Sequence, residues 1–198
     1  MTAVRSAVSE EVVLDTALTL FAERGYHGTA LSQIAEVLQI RTPSLYNHMR
    51  SKEDLLRAIV DRTTAGVLED FERVTGEDDD CAAQLARATR VYAFRHATHR
   101  REALVVNRDT DCLGEPHRTQ FQARRRRHEH AFRAIIACGV DAGVFHVESP
   151  ALASFAIREM CVSIARWFRD NGAMTAESVA DEYSRYALQI VGSQTGHR

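Results

Sequence analysis

Apolar residues recur at helical spacing along almost the whole chain, and this pattern constrains the fold more than any other feature. Between Val13 and Phe21 they follow the i, i+4, i+7 and i+8 spacing of one helix face. Ser9 can cap this helix and Gly25 can end it. No segment shows sustained alternation of apolar and polar residues, and 198 residues include only 10 Gly and 3 Pro. The sequence therefore predicts an all-α fold.

Two short helices are predicted after the first one. The second helix fits residues 31–38, with Thr29 as its predicted cap. The third helix begins at Thr42, has Pro43 in the favourable first turn, and runs to about Met49. Two short helices joined by a tight turn are the geometry of a helix-turn-helix.

A long connecting helix and an acidic stretch divide the chain. The capping-box pattern Ser51-Lys52-Glu53-Asp54 opens a helix over residues 52–75, and an acidic linker at 76–80 follows it. Later helices are predicted at Cys81–Thr98, Arg101–Thr110, Pro116–Cys138, Pro150–Asp170 and Ala176–Val191. We therefore expect a three-helix domain at residues 1–51 and a helical bundle at residues 52–198, to which the connecting helix belongs.

Several functional classes are disfavoured by what the sequence does not contain. It has no Ser-His-Asp arrangement, no Gly-rich phosphate loop and no Cys/His metal spacing, which argues against an enzyme, a cofactor or a metal. No apolar run approaches the roughly 18 residues that cross a bilayer, so no membrane partner is expected. The scattered cysteines indicate reduced thiols in the cytoplasm. They are Cys81, Cys112, Cys138 and Cys161.

The segment GYHGTALSQIAEVLQIRTPSLYNHMRSKEDL, from Gly25 to Leu55, resembles the N-terminal signature of the TetR family of transcriptional regulators. A bare helix-turn-helix pattern is unspecific, but L-Y-x-H-x-x-S-K-E-D-L with the correct upstream spacing is specific. The matching residues are Gly25, Thr29, Ile34, Ala35, Pro43, Leu45, Tyr46, His48, Ser51, Lys52, Glu53 and Leu55. In this family a helix-turn-helix domain binds DNA, and a variable helical domain binds an effector and dimerises.

The resemblance implies that the third helix lies in the major groove of a double-stranded DNA operator. Asn47 can pair bidentately with adenine, and Lys52 is expected to contact a phosphate. A unit of this type needs two half-sites for specificity, which implies a homodimer on a palindromic operator. The implied DNA-contact residues are Thr29, Arg41, Thr42, Pro43, Ser44, Tyr46, Asn47, His48 and Lys52.

Some positions depart from the family pattern. The usual turn glycine is Gln39, which costs on the order of 1 kcal/mol if that residue adopts a positive φ. The usual second threonine is Ala30, and the aromatic residue after His48 is Met49. Residues 1–60 carry six basic and seven acidic side chains, whereas a DNA-binding unit is usually basic. A small-molecule-binding helical protein with weak or lost DNA binding is therefore the alternative.

The last two predicted helices carry broad apolar faces, at residues 152–168 and 179–190. In the family the corresponding pair forms a four-helix interface with a second subunit, so we expect the homodimer contact there, beside packing within the subunit. Polar positions on otherwise apolar helices mark the expected effector pocket. The candidates for binding the small-molecule effector are His96, Asn107, Arg158, Val162 and Arg166.

The segment at residues 157–172 resembles the TetR branch that governs fatty-acid and steroid catabolism, whose members are released from DNA by acyl-CoA thioesters. Arg158 and Arg166 differ by about 80° around a helix, so we expect both to bind one anionic, apolar effector such as an acyl-CoA. Neutral multidrug-type ligands, an Arg158–Glu159 ion-pair network and surface exposure are the alternatives. The expected apolar wall consists of Phe155, Trp167 and Phe168.

Two further motifs invite functional interpretations. The run Arg124–Arg127 points around the whole helix, so it predicts a solvated face paired with the acidic residues 77–80 and not a second DNA site. His128 and His130 diverge on a helix, which disfavours a metal pair. A thiol redox sensor at Cys112 or Cys161 is a third functional alternative, although neither has a resolving partner in the sequence.

Overall fold

The computed structural model describes residues 8–75 and 80–193, and within these ranges the chain is helical with no strand. This confirms the all-α prediction. The acidic residues 77–79, expected to pair with the arginine run, lie outside the described ranges. The helices are α1 (Glu10–Arg24), α2 (Leu31–Val37), α3 (Thr42–Leu45), α4 (Lys52–Val74), α5 (Cys81–Thr98), α6 (Arg100–Asp109), a 3₁₀ turn (Thr110–Cys112), α7 (His117–Asp141), α8 (Pro150–Trp167) and α9 (Ala176–Ile190).

Side-chain caps start several helices where the sequence predicts them. The Ser9 hydroxyl accepts a hydrogen bond from the Val12 amide at the start of α1. At the start of α4, the Ser51 hydroxyl accepts from the Asp54 amide (3.1 Å) and the Asp54 carboxylate accepts from the Ser51 amide (3.0 Å). The Asp80 carboxylate accepts from two amides in the first turn of α5, at 2.8 and 2.9 Å. These contacts satisfy amides that have no partner inside the helix.

The predicted cap of α2 is wrong. The residue before α2 is Ala30, and its own amide donates to the Gln33 side chain at 2.8 Å. Thr29 is 1% exposed, and its hydroxyl lies 2.9 Å from the carbonyl oxygen of Gly25 and 3.2 Å from that of Leu20. Thr29 therefore ties the start of α2 back to the end of α1 from within the core.

Helix α3 is shorter than the sequence predicts, because it ends at Leu45 and not near Met49. The next residues continue as tight turns, in which the Tyr46 amide donates to the carbonyl oxygen of Pro43 and the His48 amide to that of Leu45. These bonds span three residues, the spacing of a 3₁₀ turn. Similarly, α8 ends at Trp167, before the predicted end at residue 170, because the next residue is extended.

The turn between α2 and α3 contains the predicted positive φ at a residue other than glycine. Gln39 has φ 55°, the left-handed region that costs L-residues with a side chain on the order of 1 kcal/mol. The turn is held by two backbone hydrogen bonds of 3.0 Å, from Gln39 to Glu36 and from Ile40 to Ala35. The helix-turn-helix geometry is thus kept without the glycine.

Two apolar cores lie along α4. The first joins α1–α3 and the start of α4 to Val105, Leu113 and Phe121 from the α6–α7 region. The second joins the end of α4, at Phe71, to α5, α7, α8 and α9. Because α4 contributes to both cores and α6 packs against α1 and α4, the N-terminal helices are attached to the rest of the chain by α4 and α6.

Candidate DNA interface and effector cavity

The surface around α3 exposes most of the residues that the sequence assigns to DNA. Tyr46 is 56% exposed, although it follows the fully buried Leu45. The other exposed residues of this surface are Arg41, Pro43 and Asn47, and the half-buried ones are Thr42, Ser44, His48 and Lys52. Thr29 is not part of this surface, because its side chain is buried and contacts backbone inside the protein. The surface thus presents aromatic, amide, hydroxyl and cationic groups together.

Lys52 has an internal role that its sequence motif does not reveal. Its Nζ donates to the carbonyl oxygens of Tyr26 (2.8 Å) and Thr29 (2.9 Å), and it lies 4.2 Å from the centre of the Tyr26 ring. Charge-assisted hydrogen bonds of this kind are stronger than neutral ones. Lys52 therefore fixes the loop between α1 and α2 against the start of α4.

A cavity of about 80 Å³ lies among α4, α5, α6, α7 and α8. Four of the five predicted effector residues line it: His96, Asn107, Arg158 and Val162. Its apolar wall includes Val67, Leu68 and Phe121, and its polar lining has four arginines and three histidines but no Asp or Glu. The cavity holds only a few water molecules, so a larger ligand must widen it.

Arg166 does not line this cavity, contrary to the prediction from its spacing. Arg158 is buried, whereas Arg166 lies two turns further along α8, where the side chain is exposed. The azimuthal difference is large enough to turn Arg166 out of the bundle. The predicted aromatic wall is also wrong: Phe155 and Trp167 are exposed, and Phe168 is buried in the second core.

Three side chains that line the cavity have a buried nitrogen without a hydrogen-bond partner, and they are Arg95, His128 and Arg158. Arg158 is 4% exposed, and its Nε has no hydrogen-bond partner. Its ion pair is with Glu129 at 3.6 Å, a side chain that is itself half exposed. The Nε2 atom of buried His128 has no partner either. Buried polar groups are rarely left unpaired, so these atoms indicate a place for a hydrogen-bonding ligand.

The histidines beside Arg158 are held neutral. Burial, followed by the charge of Arg158, lowers the pKa of His128 to about 3. Burial also lowers the pKa of His96 to about 4. The His96 Nδ1 atom lies 2.8 Å from the carbonyl oxygen of Tyr92, which can only accept, so Nδ1 carries the proton. Burial raises the pKa of Tyr92 itself to about 12. Arg158 is therefore the charged group at this end of the cavity.

Helix α6 links the cavity to the N-terminal helices. His99, immediately before α6, and Ala103, Val106 and Asn107 within it line the cavity. From another side of α6, Arg101 donates to Asp15 (2.9 Å) and Thr19 (2.7 Å) of α1. Arg108 donates to the carbonyl oxygens of Phe21 and Ala22 at the end of α1. The buried Asp109 carboxylate accepts from Arg108 and fixes its orientation. A movement of α6 is therefore transmitted to α1.

The two cysteines considered as redox sensors have pKa values shifted away from the reactive thiolate. Burial raises the pKa values of the Cys161 and Cys112 thiols, which is the opposite of the shift that activates a redox thiol. The described ranges contain no group of three or more His, Cys, Asp or Glu side chains that could hold a metal ion. Among the same residues, no helix is both long and apolar enough to cross a membrane.

The family models match both parts of the chain. The model described as "Bacterial regulatory proteins, tetR family" matches residues 13–59, which include α2, α3 and the turn between them. The model described as "Tetracyclin repressor-like, C-terminal domain" matches residues 78–191, more than half of the chain. The chain belongs to the TetR family. Its family is one of transcriptional regulators and not of enzymes, as the N-terminal signature predicts.

Individual TetR-family proteins resemble this chain over nearly its full length. The transcriptional repressor KstR2 of Rhodococcus jostii is 28% identical over 187 residues, which cover 91% of this chain and 90% of KstR2. The structure of PfmR from Thermus thermophilus is 31% identical, with a TM-score of 0.80, and covers 93% of this chain and 99% of PfmR. AibR, solved with isovaleryl coenzyme A and operator DNA, is 23% identical (TM-score 0.80, covering 93% and 98%) and shows the shared fold.

Sequence reasoning misses several cavity residues. Phe121, Arg124, Arg125 and His128 lie at i, i+3, i+4 and i+7 on one face of α7, and all line the cavity. This spacing is visible in the sequence, but the arginines between the apolar positions suggest a solvated face. The predicted pairing of the run with residues 77–80 falls mostly outside the described residues, and within them two of its arginines pair with α4. The pairs are Arg124 with Asp61 and Arg127 with Glu72.

Proposed function

We propose that this chain is a cytoplasmic, homodimeric transcriptional repressor that binds a palindromic operator and is released from it by an anionic, largely apolar effector. The observation that carries the proposal is the double role of α6, which lines the cavity on one side and holds α1 on the other. The repressor KstR2 is similar over nine tenths of this chain. We also propose the division predicted from the sequence, with residues 1–51 binding DNA and residues 52–198 binding the effector and the partner subunit.

The exposed surface around α3 is the proposed DNA-reading surface. Tyr46 and Asn47 are exposed next to buried Leu45, so core packing fixes the backbone that presents them. Thr42, Pro43 and Ser44 start α3, where side chains of a recognition helix reach base edges. Arg41, His48 and Lys52 complete the proposed contacts to DNA. The excess of acidic residues in this unit predicts a modest affinity and a shallow salt dependence.

The exposed apolar residues of α8 and α9 support a homodimer. Leu152 and Phe155 are 70% and 56% exposed on α8, and Tyr186 and Ile190 of α9 are also exposed. Large apolar side chains that face solvent on two neighbouring helices indicate a protein contact. A second copy of the same pair would complete a four-helix interface with twofold symmetry, which also spaces two recognition helices for two half-sites.

The effector is expected to place an acceptor against Arg158 and a hydrogen-bonding group against His128. Both side chains are buried and have unpartnered nitrogen atoms, and the cavity lining has no carboxylate to neutralise its arginines. An acyl-CoA thioester is the first choice, in line with the branch resemblance and with isovaleryl coenzyme A in the structure of AibR. Arg166 is exposed, so its proposed effector contact depends on a ligand that extends beyond this cavity.

Release requires that the effector favours a conformation with lower affinity for DNA, since equal binding to both states shifts nothing. A cavity of about 80 Å³ cannot hold an acyl chain without widening. The wall formed by α6 contacts α1 through Arg101 and Arg108, so widening the cavity on this side moves the DNA-binding unit. This is the proposed route from effector to operator.

The proposal is tested by operator binding, measured by fluorescence anisotropy on the intergenic DNA beside the gene. Tyr46→Ala should lower operator affinity about tenfold or more, while sedimentation shows an unchanged dimer. The matched control is Val12→Ala, an exposed residue of α1 remote from α3. Normal operator binding by Tyr46→Ala would contradict the assigned surface. No binding of this DNA by the wild type would favour the alternative, a ligand-binding helical protein without operator function.

The coupling is tested by acyl-CoA titration into the protein–operator complex. Arg108→Met should leave operator and acyl-CoA affinity close to wild type but weaken release, because the end of α1 is no longer held by α6. Arg118→Met is the control, since Arg118 pairs only with nearby Glu115 among the described residues. Equal release by Arg108→Met and wild type would exclude this route.

A further inference from the structure

The lining of the effector cavity is positive, and one of its arginines has no counter-charge. Three of its four arginines have a carboxylate partner that lies outside the lining: Arg95 with Asp70, Arg124 with Asp61, and Arg158 with Glu129. Arg125, the fourth, is exposed and has no carboxylate within ion-pair distance in the described part of the chain. The cavity therefore has a cationic edge on α7, separate from the buried donors at Arg158 and His128.

A second cleft is lined by charges of both signs. It has a volume of about 490 Å³ and lies among α1, α4, α5 and α6, sharing Thr63, Arg95 and His99 with the effector cavity. Its lining includes three carboxylates, which belong to Glu11, Asp15 and Glu102. Two arginines, Arg62 and Arg95, also line this cleft, so its charges largely compensate each other. The α7 edge has arginines and no carboxylate in the lining, and it is the one suited to a strongly anionic part of a ligand.

We infer that Arg124 and Arg125 form an outer subsite of the effector cavity that binds a phosphate group carried by the effector. The inference rests on the proposed function, since it assumes that the cavity binds an effector. The acyl part would lie against Val67, Leu68 and Phe121, and the phosphate would lie at the α7 edge. Guanidinium groups match phosphate geometry and bind it through paired, charge-assisted hydrogen bonds. Arg124 would share its charge between Asp61 and the phosphate.

The same arginine run supplies a matched control. Arg126 is exposed like Arg125 but does not line the cavity, so a glutamine at either position removes the same charge from α7. Any loss caused by a general change in surface potential appears in both variants. A loss restricted to Arg125→Gln reports a contact at the cavity edge.

The experiment measures dissociation constants by isothermal titration calorimetry for the full chain. The probes are hexanoyl-CoA, hexanoyl-pantetheine, which lacks phosphate, and hexyl phosphate, which lacks the long carrier. Arg125→Gln should lower the affinity for hexanoyl-CoA about tenfold and leave the affinity for hexanoyl-pantetheine unchanged. Its affinity for hexanoyl-CoA should also depend less on salt than that of the wild type. Arg126→Gln should match the wild type for every probe. If Arg125→Gln also lowers the affinity for hexyl phosphate, the bound phosphate lies next to the acyl chain. If it lowers only the affinity for hexanoyl-CoA, the phosphate reaches the subsite through a long carrier. Both results support the subsite.

Asp61→Asn should raise the affinity for the phosphate-bearing ligand, whereas Arg125→Gln should lower it. The wild-type carboxylate competes with the ligand for Arg124, so its removal should tighten hexanoyl-CoA binding several-fold and leave hexanoyl-pantetheine unchanged. A residue with a purely structural role would not produce a gain that depends on phosphate.

Two results would overturn the subsite while leaving the proposed function in place. One is equal affinity losses in Arg125→Gln and Arg126→Gln. The other is a loss in Arg125→Gln that is the same for hexanoyl-CoA and hexanoyl-pantetheine. The absence of binding by all three probes to the wild type would overturn the proposed effector class, and the subsite with it.

Discussion

The N-terminal unit (α1–α3) and the C-terminal bundle (α5–α9) differ in whether their buried polar groups have hydrogen-bond partners. In the N-terminal unit, the buried Thr29 hydroxyl has carbonyl partners, and the half-buried Lys52 from α4 donates to two more. In the described part of the bundle, by contrast, five side chains have a buried polar atom without a hydrogen-bond partner. The affected side chains are Thr89, Arg95, His128, Ser154 and Arg158.

This difference agrees with the functions proposed for the two parts. A surface that reads DNA needs a fixed backbone, and internal hydrogen bonds supply it at little cost. A cavity that responds to a ligand needs polar groups whose partner is the ligand, which leaves them unpaired and costly in its absence. Polar groups should therefore stabilise the N-terminal unit and destabilise the empty bundle. The substitutions below test that contrast.

The largest expected effect is a loss of stability in acid that comes from the bundle. The pKa values of His96 and His128 are about 4 and 3 in the folded chain, against 6.5 for an ordinary imidazole. Below pH 6.5 the unfolded chain binds more protons, so stability is complete above that pH and decreases as the pH falls toward the folded values. At about pH 5 each imidazole should cost about 2 kcal/mol.

Urea unfolding at several pH values measures this effect. His128→Leu should remove about half of the histidine contribution to the pH dependence. His130→Leu is the control, because His130 is exposed on the same helix and should leave the pH dependence unchanged. Parallel pH profiles for wild type and His128→Leu would contradict the neutral, buried state of His128.

The second effect concerns the N-terminal unit, where removing a polar group should lower the stability. Lys52→Met keeps the length of the side chain but removes two charge-assisted hydrogen bonds to Tyr26 and Thr29. We expect a loss of about 2–3 kcal/mol in the free energy of unfolding. Hydrogen exchange should show faster exchange in the loop between α1 and α2 and not in α8. Unchanged exchange there would mean that Lys52 acts on DNA phosphates alone.

The sequence predicts the N-terminal unit better than the cavity of the bundle. Helix caps and turns depend on residues a few positions apart, so the roles of Ser9, Ser51 and Gln39 are predictable from the sequence alone. The family signature likewise lies in one short segment. Thr29 is the exception, because its hydroxyl contacts carbonyls of α1 and not, as predicted, an amide of its own helix.

The effector cavity depends on contacts between distant helices, and periodicity predicts it only in part. Arg158 and Val162 share one face of α8, and both line the cavity. Arg166 lies two turns further along α8, and the difference of about 80° around the helix is enough to leave it exposed, which the spacing alone does not decide. Arg125, Arg126 and Arg127 are exposed, as predicted for a solvated face, but the ion pairs of the run with Asp61 and Glu72 of α4 depend on how α4 and α7 pack.

The third effect compares Arg158 and Arg166 directly. Arg158→Met should raise the free energy of unfolding by about 1–2 kcal/mol, because it removes a poorly paired buried charge and leaves half-exposed Glu129 hydrated. The same substitution should abolish the response to the effector. Arg166→Met should change stability by less than about 0.5 kcal/mol. Chemical denaturation of both variants, beside acyl-CoA titration, checks the pair. A destabilised Arg158→Met would show that the empty cavity gains from its arginine.

The smallest expected effect lies in the turn of the helix-turn-helix. Gln39→Gly should raise the free energy of unfolding by up to about 1 kcal/mol, because φ 55° strains a side-chain-bearing residue but not glycine. Part of the gain is cancelled by the greater flexibility of glycine in the unfolded chain. Operator affinity should be unchanged, since the backbone bonds from Gln39 to Glu36 and from Ile40 to Ala35 remain. Gln39→Ala is the control, because alanine removes the glutamine side chain but keeps the strain. Thermal unfolding should rank glycine above alanine at this position, and the reverse order would mean that the turn relaxes its positive φ in solution.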